Sequence, residues 1–308
     1  MSIIQGSSIP SAAGGVVPFD TTVIPNSVWI DGTADFLSAE LGAKTRTKAV
    51  IGTWFQKTGF TTGDATIFSK KGTAQFAMRM QDQASKQGLI SIFDFDGGDF
   101  QYSAESPAGG MVLRDIGWYH IMISIDTTAS AGSRLRYFIN GIDRTDTLRI
   151  DVDYTLNDNL SITGGSGEPT QWGVGPGGSS QFSPIYLAQS FMLDDDSIQN
   201  NDVGVPDILD TFTYGTNGSQ FAPKANSDIA SLASSAGGDS FCLDYANSSD
   251  LGNDISSQGN DFSPTSMAAA NQSSNTPSLV YPIFNPLAQA GTATGTLSEG
   301  NTKLVLAS

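Results

Sequence analysis

Residues 118–126 read Trp-Tyr-His-Ile-Met-Ile-Ser-Ile-Asp, and residues 135–141 read Leu-Arg-Tyr-Phe-Ile-Asn-Gly. In both stretches large apolar residues recur at every second position, which places them on one face of a β-strand. The Asn140-Gly141 pair that ends the second stretch favours the type I′ turn of a hairpin. We therefore predict a sheet with a buried inward face. The side chains expected in its core are Trp54, Ile121, Ile123, Ile125, Tyr137 and Ile139.

Composition extends this prediction to the whole chain. The 308 residues include 34 glycines and 13 prolines, and only four of the 31 acids are glutamates. Glutamate favours helix interiors, whereas aspartate favours turns and caps. Together with the period-two stretches, this indicates an all-β protein, an antiparallel two-sheet sandwich with many turns. We expect short helices only within residues 197–210.

Charge and rare residues exclude several functional classes. The formal net charge is −16, so we expect no nucleic-acid partner, because phosphate binding needs clustered cations. The sequence has no apolar run long enough to predict a membrane-spanning helix. The residues after Met1 lack the basic start of a secretory signal peptide. A single cysteine and a single histidine exclude an internal disulfide and multi-histidine zinc sites.

The chain divides into three parts on its pattern. Residues 1–25 have no helical period and are interpreted as an N-terminal arm. Residues 26–246 hold the strand patterns and are interpreted as the sandwich. Residues 247–308 are polar and punctuated by proline, so we expect an extended C-terminal tail that contacts other subunits or lies across the sandwich exterior.

Several segments resemble a known family. Residues 29–38, 114–121 (with Gly-Trp-Tyr-His) and 137–141 resemble the concanavalin A-like, laminin G-like jelly-roll domains of tailed-phage structural proteins. Residues 241–267 and 275–287 resemble the segment that follows the jelly roll in phage members. The resemblance implies an all-β jelly roll and a virion protein displayed on the particle surface. Members often carry an acid where this chain has Gln189.

Two functions follow as expectations. The first is a virion structural protein, as a capsid decoration or a tail or fibre component, held by its arm and tail to other virion subunits and forming a homo-oligomer. The alternative is a carbohydrate-binding module of a tail fibre that recognises a glycan on the host surface. We do not expect an enzyme, because the four glutamates are isolated and glycoside hydrolysis needs paired carboxyl groups. Two aspartate pairs, 94/96 and 151/153, are spaced to lie on one strand face, so glycoside hydrolysis by paired carboxyl groups stays an alternative.

Calcium is the metal that short aspartate-rich turns suit best, because it takes six to eight oxygen ligands. The candidate site is Asp94, Asp96 and Asp99, and a second run lies at Asp194, Asp195 and Asp196. Neither run matches a twelve-residue EF-hand loop. The alternative for both is a set of solvated turn acids.

Residues 164–180 contain seven glycines, and we interpret them as a surface loop rather than a strand. Trp172 lies within this segment, where its ring would stack on a sugar. His120 and Cys242 occur in strand patterns, and we interpret both as structural residues of the sheet.

Overall fold

A computed structural model describes residues 24–58, 63–81, 88–106, 113, 117–194, 224–277, 295–298 and 303–306. The strands, in chain order, are β1 (Ser27–Asp31), β2 (Phe36–Ala39), β3 (Lys48–Lys57), β4 (Asp64–Lys70), β5 (Gln75–Gln81), β6 (Leu89–Asp96), β7 (Asp99–Glu105), β8 (Trp118–Asp126), β9 (Leu135–Ile139), β10 (Ile142–Asp143), β11 (Arg149–Val152), β12 (Thr170–Trp172), β13 (Pro184–Leu193), β14 (Phe241–Leu243), β15 (Ser263–Thr265), β16 (Gln272–Ser273), β17 (Gly295–Ser298) and β18 (Lys303–Leu306). One α-helix, α1 (Asn226–Ala236), lies among the described residues, with 3-10 turns at Thr145–Thr147 and Ala269–Asn271.

The strands form two antiparallel sheets packed as a jelly-roll sandwich. The first sheet has the order β10-β9-β8-β3-β13-β1-β16, with β14 also paired to β13. The second has the order β11-β7-β6-β5-β4-β12-β2-β15. The all-β fold class is therefore confirmed.

The hairpin region that decides the fold is also confirmed. β8 pairs with β9, and Ile139 pairs with Ile142 across the turn. Asn140 and Gly141 both have positive φ, 49° and 70°, as the type I′ turn requires. All six side chains predicted in the core are buried. Trp54 lies in a small separate cluster with Ile24 and Ala188.

Helix α1 covers part of the outer face of the first sheet. Ile229 and Ala233 pack against residues of that sheet, including Met122 and Phe191. Gly237 ends the helix with φ 94°, a conformation that glycine adopts without a steric penalty. The sequence pattern did not predict this helix, and residues 197–210, where short helices were expected, lie outside the described residues.

The boundary predicted at residue 246 is wrong, because the sandwich continues to Pro277. Leu251 and Phe262 belong to the main core cluster. β15 pairs with β2 at an edge of the second sheet, and β16 pairs with β1 at an edge of the first. Residues 247–308 were expected to contact other subunits or lie across the sandwich exterior, but their described part up to Pro277 supplies core side chains. The predicted arm lies almost wholly outside the described residues, and within it Ile24 is buried.

Among the residues that the structure describes, no helix is long and apolar enough to cross a membrane.

Candidate functional site

Trp172 is not a sugar-stacking residue. It is the last residue of β12, which pairs with β2 on one side and β4 on the other. Its side chain is fully buried and makes edge contacts with Phe68 (ring centroids 4.8 Å apart) and Phe241 (6.4 Å). The prediction of a surface loop around Trp172 is therefore wrong, because this part of the glycine-rich segment is a central strand.

The three acids of the predicted calcium site do not converge. Asp96 and Asp99 are exposed and flank the Gly97-Gly98 turn, where they pair across the hairpin of β6 and β7. Asp94, in contrast, has no exposed surface. In the described part of the chain no group of three His, Cys, Asp or Glu side chains is placed to hold a metal ion.

Asp94 instead fixes a loop inside the sandwich. Its Oδ2 accepts hydrogen bonds from the Tyr154 hydroxyl (3.0 Å) and the Ser161 backbone N–H (3.1 Å). Its Oδ1 is buried and has no hydrogen-bond partner among the described residues. Burial raises the pKa of Asp94 to about 6, because the charged form is poorly solvated there.

The second acidic run contributes one residue to a buried ion-pair cluster. Arg46 is buried and lies between Asp194 (Nε to Oδ1, 3.3 Å) and Asp239 (Nη2 to Oδ2, 2.6 Å). Lys44 contacts the same two carboxylates from the solvent side. This cluster joins three separate chain segments, so its role is structural. Asp195 and Asp196 lie outside the described residues.

His120 and Cys242 are both buried in strands of the first sheet. The His120 ring contacts Trp54 (5.2 Å between centroids) and Phe191 (6.4 Å). Desolvation lowers the pKa of His120 to about 3, so its imidazole stays neutral at physiological pH. Cys242 is buried between the sheet and α1, and burial raises the pKa of its thiol.

Gln189 anchors helix α1. It lies at an irregularity of β13, with a positive φ of 48° and a buried side chain. Its Nε2 donates to the Lys224 carbonyl (2.7 Å) and to Asn226 Oδ1 (3.0 Å). The amide therefore ties the start of α1 to the first sheet.

The outer face of the second sheet carries the candidate site that sequence reasoning missed. Alternation along β6 sends Ile90, Ile92 and Asp94 inward, so Phe93 and Phe95 face outward. The register places Phe95 beside Phe100 of β7, and it places Ser103 between Phe93 and Val152 of β11. The three phenylalanines and the neighbouring valine form an outward-facing surface that we call the aromatic platform: Phe93, Phe95, Phe100 and Val152.

The platform rings form one contiguous cluster. Phe100 makes edge contacts with Phe95 (5.4 Å between centroids) and Phe93 (6.1 Å). Phe100 is 50% exposed and Val152 37% exposed. Monomeric proteins rarely leave contiguous apolar surface in water without a functional reason. The sequence carries no signal for this surface, because Phe93 and Phe95 fit a buried strand as well as an exposed one.

A row of polar residues borders the platform. The register aligns Arg79, Ser91, Glu105 and Arg149 across β5, β6, β7 and β11. The Arg79 guanidinium lies 4.9 Å from the Phe93 ring centroid and pairs with Asp64 at 2.9 Å. Arg149 pairs with Glu105 at 2.7 Å. Exposed aromatics beside arginines are the composition enriched at protein interfaces.

A concave surface lies beside helix α1. This open groove has a volume of about 490 Å³. Its lining is mostly hydroxyl and amide groups with two apolar side chains: Asn226, Ser227, Ala230, Ser231, Ser234, Asp244, Ile255, Ser256 and Ser257. Such a surface offers hydrogen-bond donors and acceptors without a catalytic constellation.

Comparisons with known proteins find structural likenesses at low sequence identity. No protein-family model matches the chain, and no curated protein matches it. It is similar to a solved SAP-like pentraxin from Limulus polyphemus, with 11% identity, TM-score 0.40, and 56% of this chain and 77% of that chain covered. It is similar to domains LG4-5 of the mouse laminin alpha1 chain, with 10% identity, TM-score 0.38 and coverage of 60% and 44%. It is also similar to tailspike protein 2 of Escherichia coli O157:H7 bacteriophage CAB120, with 14% identity, TM-score 0.38, and 55% of this chain but 22% of that chain covered.

Proposed function

We propose that this chain is a non-enzymatic structural protein of a phage virion, displayed on the particle surface, and that the aromatic platform is its contact face for another virion subunit. The observation that carries the proposal is the exposed platform itself. It presents aromatic rings on an otherwise acidic, polar chain. The resemblance in residues 29–38, 114–121 and 137–141 supports the virion assignment.

The edge strands of both sheets are poorly suited to pairing with another subunit, which favours a contact through a sheet face. β10 and β16 have two residues each, and β15 contains Pro264. β11 is interrupted by an irregularity between Ile150 and Val152 and carries charged Arg149 and Asp151. Short, charged, irregular or proline-containing edges resist pairing with another strand. The platform is therefore the better candidate for a stable contact.

Two acid–base candidates among the described residues are inaccessible to a substrate, which favours a role without catalysis. The single histidine is buried and neutral. The carboxyl group of Asp94, whose pKa is raised, has no exposed surface. A general acid or base must reach the substrate proton within hydrogen-bonding distance. Neither group meets that requirement.

The test measures binding of purified protein to particles assembled without it, by co-sedimentation. Phe100→Asp should abolish most of the binding, because it places a charge in the centre of an apolar contact. Ile142→Asp is the matched control, because Ile142 is 51% exposed but lies on β10, away from the platform. Wild-type binding by the Phe100→Asp protein would contradict the proposal.

The groove beside α1 favours glycan binding as a second candidate function. Five serine hydroxyls, Asn226 and Asp244 line a volume within the range of small-ligand sites. A glycan array probed with the wild-type protein and with Ser231→Leu tests it. Specific binding that the substitution removes would support a host-recognition module, whereas an array without specific binding would reject it.

A further inference from the structure

The groove beside α1 is assembled around Cys242. This residue lies in β14 and belongs to the apolar cluster beneath the helix. Its thiol donates to the backbone carbonyl of Asn226 (3.9 Å), and its own carbonyl accepts from the Ile255 N–H (2.9 Å). Asp244 follows two residues later along the chain. These contacts hold Asn226, Asp244 and Ile255 at one place, and all three line the groove.

The three lining residues offer a ligand three different kinds of contact. Asp244 Oδ1 accepts a hydrogen bond from the Ala246 N–H (3.0 Å), which leaves Oδ2 as an acceptor. Asn226 Oδ1 accepts from Gln189 Nε2 (3.0 Å), which leaves the Asn226 Nδ2 as a donor. Ile255 adds apolar surface. An acceptor, a donor and a small apolar surface match an acetamido group, whose N–H donates, whose carbonyl accepts and whose methyl is apolar.

The charges around the groove disfavour acidic ligands. Among the residues that the structure describes, Asp244 is the one ionisable side chain in the lining. Residues 224–277, which supply both walls, contain six aspartates and one base, Lys224. A carboxylated or phosphorylated sugar would bring a like charge to Asp244 without a lining cation to pair with it, which opposes binding. The ligand is therefore expected to carry no negative charge.

We infer that the groove binds an uncharged sugar with an acetamido group, and that Asp244 is the residue that determines this specificity. Asp244 Oδ2 accepts from the acetamido N–H, Asn226 Nδ2 donates to the acetamido carbonyl, and Ile255 contacts the methyl group. The serine hydroxyls along α1 remain for the hydroxyl groups of the sugar. This inference rests on the glycan-binding candidate function and names the ligand class of that same groove.

The experiment measures the affinity of the full-length protein for three sugars by isothermal titration calorimetry. The first is the disaccharide of N-acetylglucosamine, which is uncharged. The second is cellobiose, in which hydroxyl groups replace the acetamido groups. The third is N-acetylneuraminic acid, which keeps an acetamido group and adds a carboxylate. The wild type should bind the first at least about tenfold more tightly than either of the others, because each lacks one matched interaction or adds a repulsion.

Two variants assign the specificity to Asp244. Asp244→Asn keeps the acceptor for the Ala246 N–H but removes the charge and the free carboxylate oxygen. Its preference for the uncharged acetamido sugar over the acidic one should be lost. Asp250→Asn is the matched control, because it removes the same charge from a residue outside the groove lining and should bind as the wild type does.

Three results would overturn the inference. One is equal affinity of the wild type for the acetamido disaccharide and for either of the other sugars. Another is an Asp244→Asn protein that keeps the wild-type preference, or an Asp250→Asn protein that loses it. The third is a wild type that binds none of the three sugars. The glycan-binding candidate itself fails only if the glycan array also shows no specific binding, so the two failures are distinguishable.

Discussion

Two aromatic clusters of the second sheet have the same ring geometry and opposite surroundings. Around Trp172, ring centroids lie 4.8 Å and 6.4 Å apart at interplanar angles of 66° and 89°. Around Phe100, they lie 5.4 Å and 6.1 Å apart at 73° and 86°. Yet Trp172 has no exposed surface and Phe100 is half exposed. Ring packing therefore does not distinguish a buried core from an exposed face, whereas position within the layers does.

The layers explain the difference. Trp172 faces inward from a strand that has a neighbour on each side. Phe241 packs against its ring, and Phe262 packs in turn against Phe241. The platform faces outward, near the turn between β6 and β7. Helix α1 covers its side of the first sheet, but no described element covers the platform on the second.

The largest expected effect is loss of the fold when the buried cluster loses its C-terminal part. A chain that ends after Ala246 lacks Leu251 and Phe262 and exposes the edges of β1 and β2. We expect this protein to be insoluble or unfolded by circular dichroism. A chain that ends after Pro277 keeps all of these contacts and should remain folded. A folded, cooperative protein ending after Ala246 would contradict the extended boundary.

The next effect compares one residue from each cluster. Trp172→Ala should reduce the free energy of unfolding by about 3–5 kcal/mol, because it removes a large buried ring. Phe100→Ala should cost about 1 kcal/mol or less, because half of that side chain is already in water. Chemical denaturation of both proteins measures the difference. Equal losses would mean that the two rings are equally buried.

A smaller effect concerns Asp94, which lies on the inner side of the same strand as Phe93 and Phe95. Its pKa is about 6 in the folded protein against 3.8 for the ordinary side chain, so the folded state binds the proton more tightly. This contribution to stability is fully present below about pH 4 and is lost as the pH rises to about 6. It corresponds to roughly 3 kcal/mol, to order of magnitude.

Asp94→Asn removes that titration and keeps an oxygen that accepts from Tyr154 and Ser161. The variant should gain stability over the wild type as the pH rises from 4 to 7. Asp99→Asn, on the exposed turn, should leave the wild-type pH dependence in place. Thermal unfolding across this pH range measures the stability of both variants. If the stability of Asp94→Asn and of the wild type changed in parallel with pH, that would contradict a buried Asp94 with a raised pKa.

The sequence predicted the sandwich because its signal is periodic and local. The alternating isoleucines of β8 identify the buried face of that strand, and Asn140-Gly141 identifies the hairpin turn, from the local sequence alone. β12 was not predicted because glycine occurs both in loops and where two chain segments pack closely. At Gly173 a Cβ would lie 2.6 Å from the Ile30 side chain, so this glycine allows close packing rather than a mobile loop.

The platform was missed for a different reason. Phe93 and Phe95 fit a buried strand as well as an exposed one, and only the register with β7 and β11 shows which face they occupy. The acids at 94, 96 and 99 are close in sequence, but the strand and its turn send them to different environments. Local spacing predicts contacts along one strand face, and it does not predict the layer that covers that face.

Hydroxyl-radical footprinting tests, in one unmodified protein, whether Phe100 is a contact residue and whether Trp172 is a core residue. In the free protein, Phe100 should be oxidised and Trp172 protected. In assembled particles, Phe100 should become protected while Trp172 is unchanged. Oxidation of Phe100 to the same extent in free protein and particles, or oxidation of Trp172 in the free folded protein, would contradict the account.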